Sequence, residues 1–265
     1  MEEVMRSLKT FIVATAVALS ASVASAQLVN ETFPYADGNL VGNGGWQSHS
    51  GVAPVVVAGG KAIVDNVAGS QDVNKPITAT LGAGGTFYAA LDVSMDAAAP
   101  LDIPTGGTTV VSTYFAHFKD TAATTGSNFR GRIFATGITG SDYTYGLNAT
   151  SSSPTAPAAS WATGYAFGST QRVVVSFSFD DGLAKLWVDP VNELSTSISH
   201  TGGALQSIAA FGLRQSSEGA GADAIETVDN LCIATNFADA LNCTPEPGTA
   251  MLIGLGAMMI FRRRR

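Results

Sequence analysis

The acidic residues that could do chemistry fall in two short stretches of the sequence. Asp180 and Asp181 stand in an Asp-Asp-Gly sequence, and Asp223, Glu226 and Asp229 lie close together nearer the C-terminus. Hard cations such as calcium take carboxylate and carbonyl oxygens from exposed loops. These residues are therefore the calcium candidates, although Asp-Asp-Gly is equally typical of a turn and Asp229 could simply hydrogen-bond the end of a strand. We expect no cofactor, and the pattern leaves only calcium open.

Residue patterns for catalysis are missing from the sequence. Many glycoside hydrolases place nucleophile and acid at alternate positions of one strand, where both carboxylates flank the scissile bond. No E-x-D-x-x-E occurs, and Glu226 and Asp229 fall on opposite faces of a regular strand. His49, His117 and His200 are far apart in the sequence, and none lies in an H-E-x-x-H motif. No G-x-S-x-G motif occurs either. The sequence predicts a protein that is not an enzyme, with a glycoside hydrolase as the least favoured alternative.

Aromatic side chains offer a second chemistry, the stacking of sugar rings on an exposed face. The candidates are Trp46, Trp161, Trp187, Tyr143 and Tyr145. Tyr143 and Tyr145 would share one face of a strand. Aromatic residues in sandwiches are more often core residues, because each buries a large apolar area. A lectin-like module that binds exopolysaccharide is therefore the alternative function.

The elements that position these residues are strands. From Gln27 to Asn242 there is almost no helical periodicity, and alternating or β-branched runs are separated by Gly, Asp, Asn and Ser turns. Ten or more short strands in one domain imply a sandwich or a barrel. The predicted strands are Pro54–Val57, Lys61–Val64, Thr86–Met95, Thr108–Phe118, Arg130–Thr136, Tyr143–Ala149, Gln171–Phe179, Ala184–Asp189, Ser207–Arg214 and Thr227–Ala234.

The stretch from Gln171 to Pro190 shows the pattern most plainly. Val173, Val175 and Phe177 share one face by the period of two, and the Asp-Asp-Gly sequence supplies a turn. This predicted hairpin, followed by SIAAFGLRQSS and ETVDNLCIATNFADAL, resembles the closing half of a concanavalin-A-like, laminin-G-type jelly roll. The opening ETFPYADGNLVGNGGW resembles the start of such domains, whose first strand pairs beside the last. The resemblance implies an all-β jelly-roll sandwich over residues 27–242 and indicates almost nothing about its ligand.

The N-terminus has the three regions of a secretory signal peptide. Arg6 and Lys9 precede the apolar stretch Phe11–Leu19, and small residues follow, ending in Ala-Ser-Ala. Signal peptidase would cut between Ala26 and Gln27, removing residues 1–26. Translation could begin at Met1 or at the internal Met5. Export also permits a disulfide between Cys232 and Cys243, and free buried cysteine is the alternative.

The C-terminus combines three features in a fixed order. Pro245, Glu246 and Pro247 precede an apolar run over residues 248–261, and the chain ends in a cluster of four arginines, Arg262, Arg263, Arg264 and Arg265. Fourteen apolar residues are short against the roughly 20 that a bilayer-spanning helix needs, and the arginines would stay cytoplasmic.

Residues 244–265 resemble the PEP-CTERM sorting signal of Gram-negative and related bacteria, to which the label "ice-binding protein C-terminal domain" is also attached. The resemblance implies processing by an exosortase after transient inner-membrane anchoring by a short transmembrane helix. The protein would then reach the cell envelope, the outer surface or the extracellular matrix. A plain C-terminal anchor that is never cut is the alternative.

The net charge of the body limits the classes of binding partner that we expect. Between the signal peptide and the terminal arginines there are 19 acids and 8 bases, a net charge of −11. The bases are scattered singly along the chain, apart from Arg130 and Arg132, so a nucleic-acid partner is not expected. The sequence predicts an exported, non-catalytic protein of the cell surface or matrix.

Overall fold

Two antiparallel β-sheets share one hydrophobic core. The computed structural model describes residues 27–77, 84–96, 112–124, 128–139, 142–150, 155–203, 207–215 and 224–243. The first sheet contains β1 (Gln27–Glu31), β2 (Gly38–Asn39), β4 (Val56–Ala58), β5 (Lys61–Asp65), β7 (Thr86–Met95), β13 (Thr170–Ser178), β14 (Leu183–Val188), β15 (Ile198–Thr201) and β17 (Ile225–Ala234). The second contains β3 (Gln47–Ser50), β6 (Asp72–Pro76), β8 (Ser112–Lys119), β9 (Phe129–Thr139), β10 (Asp142–Asn148), β11 (Ala159–Ser160), β12 (Tyr165–Ala166) and β16 (Ala210–Leu213).

Strands that are distant in the sequence lie next to each other in both sheets. The first sheet runs β15-β14-β13-β7-β17-β5-β4-β2, with β1 paired to β17, and the second runs β11-β10-β9-β8-β16-β6-β3, with β12 paired to β10. The pairing of β1 with β17 places the first strand beside the last, as the jelly-roll resemblance implied. The expected all-β sandwich is confirmed, and residues Gln27–Cys243 form one compact unit.

The predicted hairpin is β13 and β14, paired from Val173 opposite Val188 to Phe177 opposite Ala184. Gly182 has φ +64°, which a glycine accepts without strain, and Leu183 N donates to Asp181 Oδ1 at 3.2 Å in the same turn. Val173, Val175 and Phe177 enter the main core, as the period of two predicts.

A short helix, α1 (Phe237–Asn242), departs from the expectation of strands alone. Asn236 is its N-cap and accepts a hydrogen bond from Asp239 N at 2.9 Å. The helix buries Phe237 and Ala240 against the first sheet, in a second apolar cluster that includes Val174 and Trp187. Six residues are too few to show a helical period in sequence, whereas the cap and the packing are enough to hold them.

Several sequence-based predictions lie outside the described residues. They are the signal peptide, Ala26, Asp223, the Pro-Glu-Pro motif, the apolar run and the terminal arginines. Within the described ranges no helix is long and apolar enough to cross a membrane.

Candidate functional site

The calcium candidates are engaged as turn and core residues. Asp180 Oδ1 accepts a hydrogen bond from Gly84 N at 2.6 Å, and Asp229 Oδ1 accepts one from Asn230 N at 2.7 Å. Glu226 is fully buried and its Oε2 accepts a hydrogen bond from Asn66 Nδ2 at 2.8 Å, and burial raises its pKa to about 8. In the described ranges, no group of three or more histidine, cysteine or acidic residues is placed to hold a metal ion. The four candidates that the structure describes, Asp180, Asp181, Glu226 and Asp229, therefore do not form one site.

Four of the five aromatic candidates are core residues. Trp46, Trp187, Tyr143 and Tyr145 have exposed fractions of 2% or less. The hydroxyls of Tyr143 and Tyr145 both donate to Gln171 Oε1, which satisfies them inside the sandwich. Trp161 is partly buried against the same core. The prediction of a sugar-stacking face made of these residues is wrong, because four of the five rings are packed inside the sandwich.

The two cysteines lie side by side at the end of the body. The structure joins Cys232 of β17 to Cys243 in a disulfide, with 5.6 Å between the Cα atoms. Cys243 has a left-handed backbone and ends α1, so the bridge ties the helix end to the last strand.

A cluster of basic side chains lies on the outer face of the second sheet. We call it the basic face and define it by Lys119, Arg132 and Arg214 with His117; Arg132, Arg214 and His117 lie against the ring of Tyr114. The alternation of β9 explains the orientation: Ile133 and Ala135 point into the core, so Arg132 and Phe134 point away from it. Gly131 has φ +56° and the pairing of β8 with β9 is twice irregular, which re-aims side chains locally.

Aromatic rings hold the guanidinium groups in place. Arg214 Cζ lies 4.0 Å from the ring centroid of Tyr114, and Arg132 Cζ lies 5.2 Å from the same ring. Arg132 also donates to the carbonyl of Thr150. Both distances are within the range of cation–π attraction. Tyr114 is thus a shared platform for two positive charges.

His117 lies at the inner end of the cluster. Its ring centroid is 4.2 Å from that of Phe129. A Cβ at Gly212, its neighbour across the β8–β16 ladder, would lie 2.7 Å from His117 Nε2. The space for the imidazole therefore depends on glycine at position 212.

The electrostatic field at His117 is positive. Burial lowers its pKa well below 6.5, and Arg132, His49, Arg214 and Lys119 lower it further. Burial also lowers the pKa of Arg132, of Lys119 and of Arg130. Tyr114 raises the pKa of Arg132 through its charge and a hydrogen bond, whereas Arg130 and Arg214 lower it by repulsion. Asp120 acts in the opposite direction on Lys119 and Arg130. The imidazole is consequently neutral among cations.

Sequence reasoning missed this cluster. The bases between the signal peptide and the terminal arginines looked scattered, yet the fold brings three of the eight, Lys119, Arg132 and Arg214, to the surroundings of His117. The spacing Arg130-x-Arg132 would put both side chains on one face of a regular strand, but the irregular register between them pairs Arg130 with the core residue Phe118. Nothing local indicated that Arg214, some eighty residues later, would join Arg132.

A second polar region lies on the outer face of the first sheet. A cavity of about 410 Å³ is lined there by Asn30, Thr32, Asp92, Arg172, Asn230 and residues 241–243. Arg172 pairs with Asp92 Oδ1 at 3.0 Å and donates to the carbonyls of Asn230, Ala240 and Leu241. Its charge therefore joins α1 to the sheet.

The comparisons agree with the tail and the fold. Residues 244–265 match the PEP-CTERM protein-sorting motif, which indicates export and sorting to the cell envelope and is the substrate signal of exosortases. No curated protein sequence matches the chain.

Similar solved structures include a sialidase, an alginate lyase and a lectin-like protein. For the sialidase the TM-score is 0.50 at 15% identity, over 82% of this chain and 19% of that protein, so the chain spans about a fifth of its length. For the PL7 alginate lyase AlyA1 from Zobellia galactanivorans it is 0.48 at 11% identity, over 81% and 96%. For arcelin-5 from Phaseolus vulgaris it is 0.43 at 8% identity, over 80% and 100%. At such identities the likeness concerns the fold alone.

Proposed function

We propose that the chain is an exported, non-catalytic protein of the cell surface or extracellular matrix, and that its sandwich binds matrix polysaccharide at the basic face. Signal peptidase would release the N-terminus at Gln27. An exosortase-type enzyme would then act at Pro245-Glu246-Pro247 while the apolar run and terminal arginines hold the chain at the inner membrane. The matched sorting motif supports this route.

The observation that carries the binding proposal is the basic face. Removing a charged group from water is costly, so buried cations need compensating partners. Lys119 donates to the carbonyls of Thr121 and Ala123, and Arg132 donates to that of Thr150. Here the body is strongly acidic overall, yet Lys119 and Arg132 are both buried on this face. Ionisable groups that burial and like charges perturb in this way concentrate at functional sites.

The cluster also reaches solvent. Arg214 and Phe129 are partly exposed, and Asn128 beside Phe129 is exposed, whereas His117 and Arg132 are buried. Among the described basic side chains of the cluster, Arg214 is therefore the one that a ligand at the surface can reach, with buried positive charge behind it. An aromatic platform flanked by hydrogen-bond donors suits a sugar that carries polar substituents.

The route can be tested by intact mass measurement on envelope and medium fractions of the native host. We expect a species that begins at Gln27 and lacks Arg262–Arg265. An intact C-terminus found only in membranes would contradict processing and indicate a permanent anchor.

Binding can be tested by affinity electrophoresis of the secreted protein in gels containing the host's own exopolysaccharide. We expect retardation of the wild type, weaker retardation of Arg132→Met and Arg214→Met, and no change for Lys61→Met, which removes an exposed lysine from the first sheet. No new reducing ends should appear in the polymer, because the proposal assigns no hydrolysis. Equal retardation of all four proteins would overturn the basic face as the binding site.

A further inference from the structure

The loop between β14 and β15 displays two apolar side chains that the sandwich does not bury. Val191 is 83% exposed and Leu194 is 95% exposed. The loop backbone is nevertheless held by its own side chains, because Ser195 Oγ accepts hydrogen bonds from Val191 N and Asn192 N at 3.1 and 3.3 Å. Asn192 Oδ1 in turn accepts one from Leu194 N at 2.9 Å. An ordered loop therefore presents Val191 and Leu194 to its surroundings, where apolar area in contact with water costs free energy.

Two aromatic side chains support this loop and α1 together. Trp187 Nε1 donates to the carbonyl of Glu193 at 3.2 Å, and the Tyr88 hydroxyl donates to Glu193 Oε1 at 2.8 Å. The rings of Trp187 and Tyr88 also pack against Phe237 of α1, with centroid distances of 5.1 and 5.9 Å. The loop and α1 are therefore neighbours on the outer face of the first sheet, and the carboxylate of the loop is bonded to the body.

The chain leaves the sandwich beside the same loop. Cys243 ends α1 and is bridged to β17, and the matched sorting motif begins at the next residue. The guanidinium of Arg172 donates to the carbonyls of Ala240 and Leu241 near the end of α1. The backbone N of Arg172 donates to Asp189 Oδ1 at 2.8 Å, where the loop begins. One residue thus contacts both the end of α1 and the start of the loop.

The length of the connection limits how far the body can stand from the lipid. Four residues, 244–247, separate Cys243 from the apolar run at residues 248–261. Even fully extended, this connection spans at most about 18 Å. In the proposed route the apolar run occupies the inner membrane until cleavage, so the face that carries Cys243 and the β14–β15 loop is the one held next to the lipid surface.

We propose that Val191 and Leu194 enter the membrane interface while the chain is anchored, and that this contact fixes the orientation of the body during processing. The inference rests on the proposed route and adds a lipid-contacting surface to it. Apolar side chains gain free energy when the interface removes them from water, and the anchor supplies the membrane at high effective concentration. The contact ends with cleavage, because two aliphatic side chains bind weakly without the anchor and anionic lipids repel the acidic body.

The test places an environment-sensitive fluorophore on the loop of the chain that retains its tail. The label is attached to Leu194→Cys, and to Val52→Cys as the matched control, because Val52 is 89% exposed and precedes β4, far from β14 in the strand order. Cys232 and Cys243 are bridged, so the new thiol is the reactive one. The labelled chains are reconstituted in vesicles of phosphatidylethanolamine and phosphatidylglycerol, with and without nitroxide-labelled lipid.

We expect blue-shifted emission from the label at position 194, and quenching by nitroxide lipid that is roughly twofold stronger or more than at position 52. Equal emission and quenching at the two positions, in chains that float with the vesicles, would overturn the inference and leave the sorting route standing. A blue shift at position 194 without quenching would mean that protein, such as a second copy, covers the loop, and would also overturn it. Chains that do not float with the vesicles would contradict the anchoring step of the proposed function itself, and the inference with it.

Processing in the native host gives an independent readout. Val191→Ser combined with Leu194→Ser removes the apolar area and keeps the backbone donors that hold the loop. We expect the unprocessed form, measured by intact mass, to accumulate roughly threefold over wild type, and to stay at the wild-type level in Val52→Ser. Unchanged processing in the double variant would overturn the role assigned to the contact.

Discussion

The outer faces of the two sheets both carry arginine, in opposite surroundings. On the first sheet, Arg172 meets Asp92 and three backbone carbonyls, including those that end α1. On the second sheet, Arg132 and Arg214 stack on Tyr114 and repel each other. The first arrangement uses the charge to close the fold, and the second concentrates charge of one sign.

The two outer faces also differ in the apolar groups that pack on them. The first sheet is sealed by α1, whose Phe237 ring lies 5.1 Å from that of Trp187. The second sheet has cations and aromatic rings where a covering helix would lie. Residue type alone therefore does not distinguish an arginine that joins elements of the fold from one that lies among like charges.

The largest loss of folding stability should come from disrupting the packing of α1 on the first sheet. Trp187→Ala removes the largest side chain of the second apolar cluster, so we expect about 3–5 kcal/mol loss in the free energy of unfolding. Urea denaturation measures it, and Trp161→Ala, at a partly exposed position, should cost clearly less. A similar cost for both would mean that α1 does not close this face.

Arg172→Met should cause the next largest loss of folding stability. The substitution keeps the apolar stem and removes a charge that bonds a carboxylate and the helix end, where each charged hydrogen bond contributes about 1.5–3 kcal/mol. We allow for partial exposure and expect about 2–4 kcal/mol, with polymer binding retained at temperatures where the variant is folded. Loss of binding without loss of stability would reverse the roles assigned to the two faces.

Glu226 gives the first sheet a stability that falls with rising pH. Its pKa in the folded protein is about 8 against 4.5 ordinarily, so the folded state keeps a proton that the unfolded chain releases. Stability from this residue is complete below pH 4.5 and is lost as pH rises through 8, by up to about 1.4 kcal/mol per unit. Glu226→Gln should flatten that part of a denaturation series between pH 5 and 8.

His117 contributes a pH dependence of stability that is opposite in sign to that of Glu226. Its pKa lies well below 6.5 in the folded protein, so below pH 6.5 the unfolded chain binds a proton that the folded one refuses. Stability should therefore fall as pH drops below about 6.5, by at most about 1.4 kcal/mol per unit. Comparing the unfolding free energies of wild type and His117→Gln at pH 7.5, 6.5 and 5.5 checks this, and parallel curves would contradict it.

The smallest effect on stability should come from Arg214→Met, the counterpart of Arg172→Met on the other face. Removing one of several like charges relieves repulsion and offsets the lost stacking on Tyr114, so we expect a change below about 1 kcal/mol. A cost equal to that of Arg172→Met would show that the basic face is structural.

Most of the sandwich could be predicted from local patterns. The strand Thr86–Met95 has the predicted bounds, and the β13–β14 hairpin has the predicted turn and buried face. Gln27–Glu31 and Asp72–Pro76, of five residues each, were not predicted as strands. Other missed strands, such as Gly38–Asn39 and Tyr165–Ala166, are only two residues long, too short for a period of two to show. The helix after Asn236 was missed for the same reason.

The candidate site could not be predicted in the same way. Lys119, Arg132 and Arg214 come from three strands or their ends, and β8 pairs with β9 on one side and β16 on the other. Their proximity depends on strand order and on two irregularities in register, neither of which has a local sequence signal. The aromatic candidates failed because burial is decided by which face meets the second sheet.

By itself the sequence determined the all-β class, the hairpin and the PEP-CTERM motif, because alternation, turn residues and a linear signal are local properties of the chain. Only the tertiary structure decided that Tyr143 and Tyr145 are core, that Arg172 joins a helix to a sheet, and that three of the body's eight basic residues meet on one face. Electrostatic and packing energies depend on distance in space, and antiparallel pairing brings residues together that are a hundred positions apart.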